Sequence, residues 1–172
     1  MSKFTDLLNH LQINEKFNKR IHKKTKLGFN HVKDNIPLIA NYNFMADTLF
    51  LPTANFGFKY LFVIVDLATN KFDIEPVKNK DADTTLKAMK KCFTRNYIKQ
   101  PYASLKTDSG TEFRGVFHKY LYDHNILHKI SLTDRHKSLS NVESLNRQLA
   151  RLIFGYLNQK EIETNKVFKN NI

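Results

Sequence analysis

The chain has 172 residues, enough for one substantial domain with short extensions but not for two full domains. Hydrophobic residues make up 41% of it and aromatic residues 12%, which excludes a wholly disordered chain. Lysine and arginine outnumber aspartate and glutamate by 28 to 16, so the formal net charge is +12. Such an excess favours a polyanionic partner, most directly a nucleic acid.

The single cysteine, Cys92, excludes disulfide frameworks and zinc sites built from several thiolates, so we expect no zinc. No apolar run approaches the roughly 20 residues that span a bilayer, so we expect no membrane partner. The N-terminus also lacks the apolar segment of a secretory signal. Together these features predict an intracellular, reducing location and a protein that is not secreted.

Residues 1–41 are interpreted as a basic N-terminal arm or linker. Five lysines or arginines fall within the eight positions 19–26. Such a run is typical of a solvated, mobile segment, and it is equally compatible with an arm that contacts phosphates through Lys23 and Lys24. The sequence leaves both interpretations open.

From residue 42 onward, apolar runs and turn signals predict the order β-β-β-α-β-α-β-loop-α. The predicted elements are strands at 44–51, 60–65 and 72–77, a helix at 81–97, a strand at 102–107, a helix at 112–124, a strand at 126–130 and a helix from 140. Three successive strands joined by short loops indicate an antiparallel meander. The fold class is therefore predicted as α/β, with a mixed five-stranded sheet flanked by helices in the ribonuclease-H-like order.

The last predicted helix begins at Ser140, where Ser140 and Glu143 have the spacing of a capping box. Apolar residues recur along it at helical spacing and predict one buried face: Val142, Leu145, Leu149, Leu152, Ile153 and Tyr156. Glu143 and Arg147 lie off that face, one turn apart. The core is expected to end near residue 157, and residues 158–172 are predicted to be a polar C-terminal tail.

Three carboxylates are candidate catalytic residues because of their positions. Asp47 interrupts an apolar strand, Asp108 follows a strand at a glycine-containing turn, and Glu143 lies on the last helix. In the predicted topology the first and fourth strands are neighbours and the last helix packs across their ends, so the three acids can converge. Mg²⁺ or Mn²⁺ would then relieve their repulsion. Two such ions could support phosphoryl transfer. Each acid also has an ordinary alternative: a lysine-paired buried acid, a turn residue and a helix-capping acid, respectively.

Three segments carry a resemblance to a known family. Residues 107–113, TDSGTEF, resemble the T-D-x-G-x-E-F element of the integrase catalytic core. Residues 142–147, VESLNR, resemble the V-E-x-x-N-R/K opening of its last core helix, and residues 60–66 resemble its second strand. The acids are spaced similarly to the D,D-35-E pattern of retroviral, retrotransposon and Maverick/Polinton-type integrases. The resemblance covers about residues 42–157.

The resemblance implies a ribonuclease-H-like fold and metal-dependent transfer of a viral or mobile element's 3′ ends into target DNA. It implies that Asp47, Asp108 and Glu143 hold the metal ions, and that Asp66 is structural. Arg147 would contact DNA near the metal; Arg135, Lys137 and Arg151 are further candidates for DNA contact. The family acts as a multimer, so a homo-oligomer that binds element ends and target DNA is expected, in the nucleus or associated with a virus.

Two departures from the family pattern keep other interpretations open. A single cysteine rules out the His2Cys2 zinc domain, and the short polar tail is too small for a C-terminal DNA-binding module. The chain is therefore interpreted as a catalytic core with a basic arm, whether a minimal enzyme, a fragment or a decayed copy. The alternatives are an inactive nucleic-acid-binding module and a ribonuclease-H-like nuclease.

Overall fold

The structure is a computed structural model that describes residues 39–51, 57–131 and 140–164. Its regular elements are β1 (Asn43–Phe50), β2 (Tyr60–Asp66), β3 (Phe72–Val77), α1 (Ala82–Thr94), β4 (Ser104–Thr107), α2 (Val116–Asp123), β5 (Leu127–Ile130) and α3 (Ser140–Thr164), with a short 3-10 turn at Thr111–Phe113. One compact unit comprises Ile36–Asn146, and the part of α3 from Arg147 onward belongs to a second unit.

The five strands form one mixed sheet in the order β3-β2-β1-β4-β5. β1, β2 and β3 pair antiparallel, whereas β4 is parallel to β1 and β5 is parallel to β4. The predicted meander and the predicted pairing of the first and fourth strands are therefore confirmed. With helices packed on it, this mixed sheet has the predicted ribonuclease-H-like fold.

The main hydrophobic core lies between one face of the sheet and the helices α1 and α2. Alternate strand residues point to that face, as the two-residue repeat of a strand requires. The strand contribution includes Phe44, Ala46, Phe62, Ile64 and Leu105, and the helical side contributes Met89, Cys92, Phe117 and Leu121. The intervening residues of β1, including Asp47, lie on the opposite face. Cys92 is fully buried in this core.

Helix α1 is shorter than predicted. Asp81 caps its first turn by accepting a hydrogen bond from the backbone of Thr84, and the helix ends at Thr94. Asn96 then takes a left-handed backbone conformation, with φ of 59°. The helical spacing of the sequence predicts that Tyr97 lies on the buried face of this helix. That prediction was wrong, because the chain leaves the helix before Tyr97, which is 77% exposed.

The helix predicted at 112–124 is divided in two by Gly115. The 3-10 turn Thr111–Phe113 precedes it, and α2 begins at Val116. Gly115 has φ of 54° and ψ of −120°, a conformation open to glycine and strained for residues with a Cβ. The sequence pattern did not reveal this break because both segments bury residues on the same core, Phe113 from the first and Phe117 and Leu121 from the second.

Helix α3 begins at Ser140 as predicted, but it extends to Thr164. It thus includes residues 158–164, which the sequence assigned to the polar tail. Side-chain pairs one turn apart support this extension: Glu163 accepts hydrogen bonds from Gln159 and Lys160. Val142, Leu149 and Leu152 are buried as predicted, whereas Tyr156 is 46% exposed and does not belong to the buried face.

Asp66 stabilises the turn after β2. Its carboxylate is 2% exposed and accepts hydrogen bonds from the backbone of Asn41 and Ala68 and from the hydroxyl of Thr69. These bonds tie the turn to the segment that enters β1, in keeping with the predicted structural role. No helix within the described residues is long and apolar enough to cross a membrane.

Candidate active site

Asp47 lies on β1, and Asp108 directly follows β4, the parallel neighbour of β1. The register pairs Asn43 with Ser104, Phe44 with Leu105 and Met45 with Lys106, a constant offset of 61 positions. The same offset places Asp108, directly after β4, opposite Asp47. Partners in a parallel register point to the same face, so both carboxylates belong to the face opposite the main core.

Asp47 is held by two hydrogen bonds. Its Oδ1 accepts from the backbone of Thr48 at 2.7 Å, and its Oδ2 accepts from the amide Nδ2 of Asn146, on α3, at 2.7 Å. Burial raises the pKa of Asp47, the Thr48 bond lowers it, and the nearby negative charge of Asp108 raises it again, with a net rise. The ionised form of Asp47 is thus disfavoured, mainly because the carboxylate is buried and in addition because Asp108 lies nearby.

Asp108 opens a tight turn in which its Oδ1 accepts a hydrogen bond from the backbone of Gly110 at 3.0 Å. The hydroxyl of Thr107 donates to the carbonyl of Asp108 at 2.8 Å, and Nε2 of His128 lies 2.9 Å from the same hydroxyl. Since the hydroxyl proton is already committed, the imidazole must be the donor in that second bond. The side chain and the carbonyl of Asp108 are therefore both anchored.

A third acid, Glu112, lies under this turn. It is 1% exposed, and its Oε1 is 3.0 Å from Nζ of Lys80. A Cβ placed on Gly110 would lie 2.3 Å from Oε2 of Glu112 and 2.7 Å from its Cδ. Position 110 must therefore be glycine for the Glu112 carboxylate to pack against the turn.

The other predicted site residues are distributed differently. Glu143, in the first turn of α3, and Arg147, one turn later, are both exposed, and Arg151 is partly buried. Helical geometry places Glu143 beside Asn146, the residue that contacts Asp47. Lys23, Lys24, Arg135 and Lys137 lie outside the described residues.

Across residues 39–51, 57–131 and 140–164, no three Asp, Glu, His or Cys side chains lie close enough together to hold a metal ion. The structure thus brings Asp47 and Asp108 together, but it does not join Glu143 to them in a preformed three-carboxylate site. The donor set nevertheless suits Mg²⁺ or Mn²⁺, which prefer oxygen ligands. Within the described residues, the Oδ1 atom of Asn146 is buried without a hydrogen-bond partner beside Asp47. An oxygen in this state is a suitable partner for a cation or for its bound water.

Three residues with contacts at this site were not among the predicted site residues: Lys80, Glu112 and Asn146. Glu112 and Asn146 stand inside the two quoted motifs, and that position was the signal that could have identified them. Lys80 belongs to no motif, and its neighbours in sequence carry no sign of its contact with Glu112. One ordinary alternative for Asp47 is a buried acid paired with a lysine. The charge of Lys80 does lower the pKa of Asp47.

Comparison with known proteins identifies a family. Residues 39–136 match the family described as integrase core domain, which is 98 of the 172 residues and more than half of the chain. Comparison of the sequence with curated proteins gives no match.

Solved structures show the likeness of the fold. The HTLV-2 integrase catalytic core domain in complex with magnesium, in its trimeric form, is similar with a TM-score of 0.55 and 20% identity over 77% of this chain and 80% of that chain. Its dimeric form gives a TM-score of 0.55 and 19% identity over 76% and 79% of the two chains. A simian T-cell lymphotropic virus intasome in complex with PP2A regulatory subunit B56 gamma gives a TM-score of 0.64 and 17% identity, over 92% of this chain and 55% of that chain.

Proposed function

This chain belongs to the integrase core domain family, and we propose that it is a divalent-metal-dependent polynucleotidyl transferase that processes and joins DNA 3′ ends. The observation that carries the proposal is that Asp108 directly follows β4 and, when the β1–β4 register is extended by two residues, comes opposite Asp47, whose pKa its charge raises. Two neighbouring carboxylates suit hard cations, and such cations support phosphoryl transfer.

We assign metal binding to Asp47, Asp108 and Glu143. The raised pKa of Asp47 supports this role, because a bound cation would favour the ionised carboxylate. Asn146 supports it as well, since its bond to Asp47 fixes the first turns of α3, and thus the backbone of Glu143, near the strand ends. The exposed Glu143 side chain then needs a change of rotamer or a small movement of the helix start to join the other two acids.

Each part of the site has a distinct task in this proposal. Bound Mg²⁺ or Mn²⁺, two ions in all, would activate the attacking oxygen and stabilise the leaving one. Asp108 is oriented by the turn amide of Gly110, and Asp47 by Thr48 and Asn146. Arg147 and Arg151 are proposed to contact DNA phosphates from α3, together with Arg135, Lys137, Lys23 and Lys24.

The proposed partners are the DNA ends of a viral or mobile element and a target DNA, bound by a homo-oligomer of this chain. The net charge of +12 supports a DNA partner. Among the similar structures, one integrase core is described as trimeric and dimeric, and another belongs to an intasome. A nuclear or virus-associated location is proposed on the same grounds.

The decisive experiment is metal-dependent joining of labelled oligonucleotide ends, with Glu143→Gln compared with the wild type. We expect Glu143→Gln to lower the joining rate in Mg²⁺ or Mn²⁺ by about a thousandfold or more, because a metal ligand is lost. Its circular dichroism should match that of the wild type, since Glu143 is exposed. The matched control is Glu163→Gln, an exposed acid on the same helix. Joining at the wild-type rate by Glu143→Gln would refute the proposed role.

A nucleic-acid-binding module without catalysis is the second candidate. The observation that favours it is that, in the described part of the chain, Glu143 is not preassembled with Asp47 and Asp108. A protein of this kind would bind DNA with equal affinity in Mg²⁺ and in EDTA, and Glu143→Gln would change nothing. Cleavage of an RNA–DNA hybrid would instead indicate a ribonuclease-H-like nuclease.

A further inference from the structure

The candidate active site contains a cation of its own, the ammonium group of Lys80. Burial lowers the pKa of Lys80, but the contact with Glu112 and the charges of Asp108 and Asp47 raise it, with a net rise. The interaction is mutual, because the positive charge of Lys80 also lowers the pKa of Asp47. Contacts connect Lys80 to the metal-binding acids: its Nζ lies 3.0 Å from Oε1 of Glu112, the Glu112 carboxylate packs against Gly110, and the amide of Gly110 donates to Asp108.

The charge of the buried Glu112 carboxylate is balanced by Lys80. Its side chain is 1% exposed, and its carboxylate packs against the α-carbon of Gly110, where no Cβ would fit. The side chain of Lys80 is 41% exposed, so the pair is buried only on the Glu112 side. Removal of Lys80 would leave the buried carboxylate without its ion pair, which is destabilising. The turn that orients Asp108 through the amide of Gly110 therefore rests on a carboxylate whose charge Lys80 balances.

We propose that Lys80 and Glu112 form a positioning pair that sets the affinity of Asp47 and Asp108 for a divalent cation. Glu112 packs against the turn and offsets the positive charge of Lys80 that the two metal-binding acids would otherwise experience. This inference rests on the proposed function for its metal. It assigns to Lys80 and Glu112 a role that acts through Asp108 and Asp47, without contact with the metal.

The proposal follows from the charges. Three carboxylates and one ammonium give Asp47, Asp108, Glu112 and Lys80 a formal charge of −2, which one divalent ion neutralises. Glu112→Gln keeps the shape of the side chain but changes this charge to −1, with the ammonium now unpaired beside the metal site. Adding Lys80→Met removes that ammonium and returns the charge to −2. One unit of charge near a partly solvated metal site changes the affinity for a divalent ion by about tenfold.

The test is a double-mutant cycle read by direct binding of Mn²⁺, measured by calorimetry and by competition with Mg²⁺, and by thermal unfolding without metal. We expect Glu112→Gln to weaken Mn²⁺ binding about tenfold, and Lys80→Met/Glu112→Gln to return it to within about threefold of the wild type. Lys80→Met alone should lower the unfolding midpoint by on the order of 5 °C, and the double variant should recover most of that loss.

A control cycle with Lys160→Met and Glu163→Gln removes an exposed ion pair on α3, in which Nζ and Oε2 are 2.7 Å apart. This cycle should leave the Mn²⁺ affinity unchanged. If the double variant binds as weakly as Glu112→Gln, Glu112 is itself a ligand and the inference is wrong. Equal Mn²⁺ affinity in all four proteins would also overturn it. A wild-type protein that does not bind Mn²⁺ at all would instead contradict the proposed function.

Discussion

At the scale of single residues, a chain of hydrogen bonds reaches from the surface to the backbone of Asp108. Because the hydroxyl of Thr107 donates to the Asp108 carbonyl, Nε2 of His128 carries the proton that it donates to Thr107. Nδ1 of His128 must then accept, and Nδ1 of His118, 2.9 Å away, is its donor. For a neutral His128, this pattern places its proton on Nε2 and a proton on Nδ1 of His118.

This arrangement predicts a pH dependence of stability. Burial and the neighbouring His118 lower the pKa of His128 from 6.5 to about 4. Since the folded pKa is below the unfolded one, the stabilisation is complete above pH 6.5 and is lost as the pH falls towards 4. Between pH 7 and pH 4, we expect the free energy of unfolding of the wild type to fall by about 2 kcal/mol more than that of His128→Leu. The measurement is urea unfolding at both pH values. An imidazole resonance of His128 that titrates near 6.5 would contradict the prediction.

At the scale of elements, Arg95 joins the end of α1 to the edge strand β3. Its guanidinium donates to both carboxylate oxygens of Asp73 at 3.0 Å, to Glu75 at 2.6 Å and to the carbonyl of Ile74 at 2.7 Å. Burial would raise the pKa of Glu75, but its bonds with Lys91 and Arg95 lower it below the usual 4.5. These contacts stabilise the sheet edge and also satisfy a buried acid.

Arg95→Lys therefore tests whether geometry or charge holds β3 in place. Lysine keeps the charge but cannot form the planar fork that reaches three groups at once. We expect urea unfolding to show a loss of about 1–3 kcal/mol for Arg95→Lys, and a similar or larger loss for Arg95→Met. Part of this loss should disappear below pH 4.5, because stabilisation by a carboxylate with a lowered pKa is lost as the pH falls through its folded value. If Arg95→Lys is as stable as the wild type, charge alone is sufficient.

At the scale of the whole molecule, the net charge of +12 predicts DNA binding that weakens steeply with salt. Reversal of two charges in the basic arm, by Lys23→Glu and Lys24→Glu, should lower DNA affinity and reduce the slope of log affinity against log salt by about 2. The measurement is fluorescence anisotropy of a labelled duplex between low and physiological salt.

The matched control for that experiment reverses Lys71 and Lys99, two exposed lysines of the described core. It changes the net charge by the same amount, so a larger effect in the arm would identify specific phosphate contacts. Equal effects of the two double variants would show that the arm acts only through the overall charge of the molecule.

Sequence patterns were sufficient to predict the strands and the positions of Asp47 and Asp108 relative to them. Alternating apolar residues and turn signals are local, so β1 to β5 and the positions of Asp47 and Asp108 beside them could be predicted within a few residues. Their neighbouring placement followed from the predicted topology. The break at Gly115 was missed because the same core buries both sides of it, and the end of α3 because exposed polar pairs support a helix as well as a tail.

Tertiary structure was needed for the contacts that define the site. Asn146 reaches Asp47 across 99 positions in the sequence, and Lys80 reaches Glu112 from the segment before α1. A local pattern does not reveal which distant side chain will neutralise a buried carboxylate, because that depends on how the strands and helices pack. For the same reason, the motif that contains Glu143 predicted its helix and its position off the buried face, but not that Glu143 stays apart from Asp47 and Asp108 in the described structure.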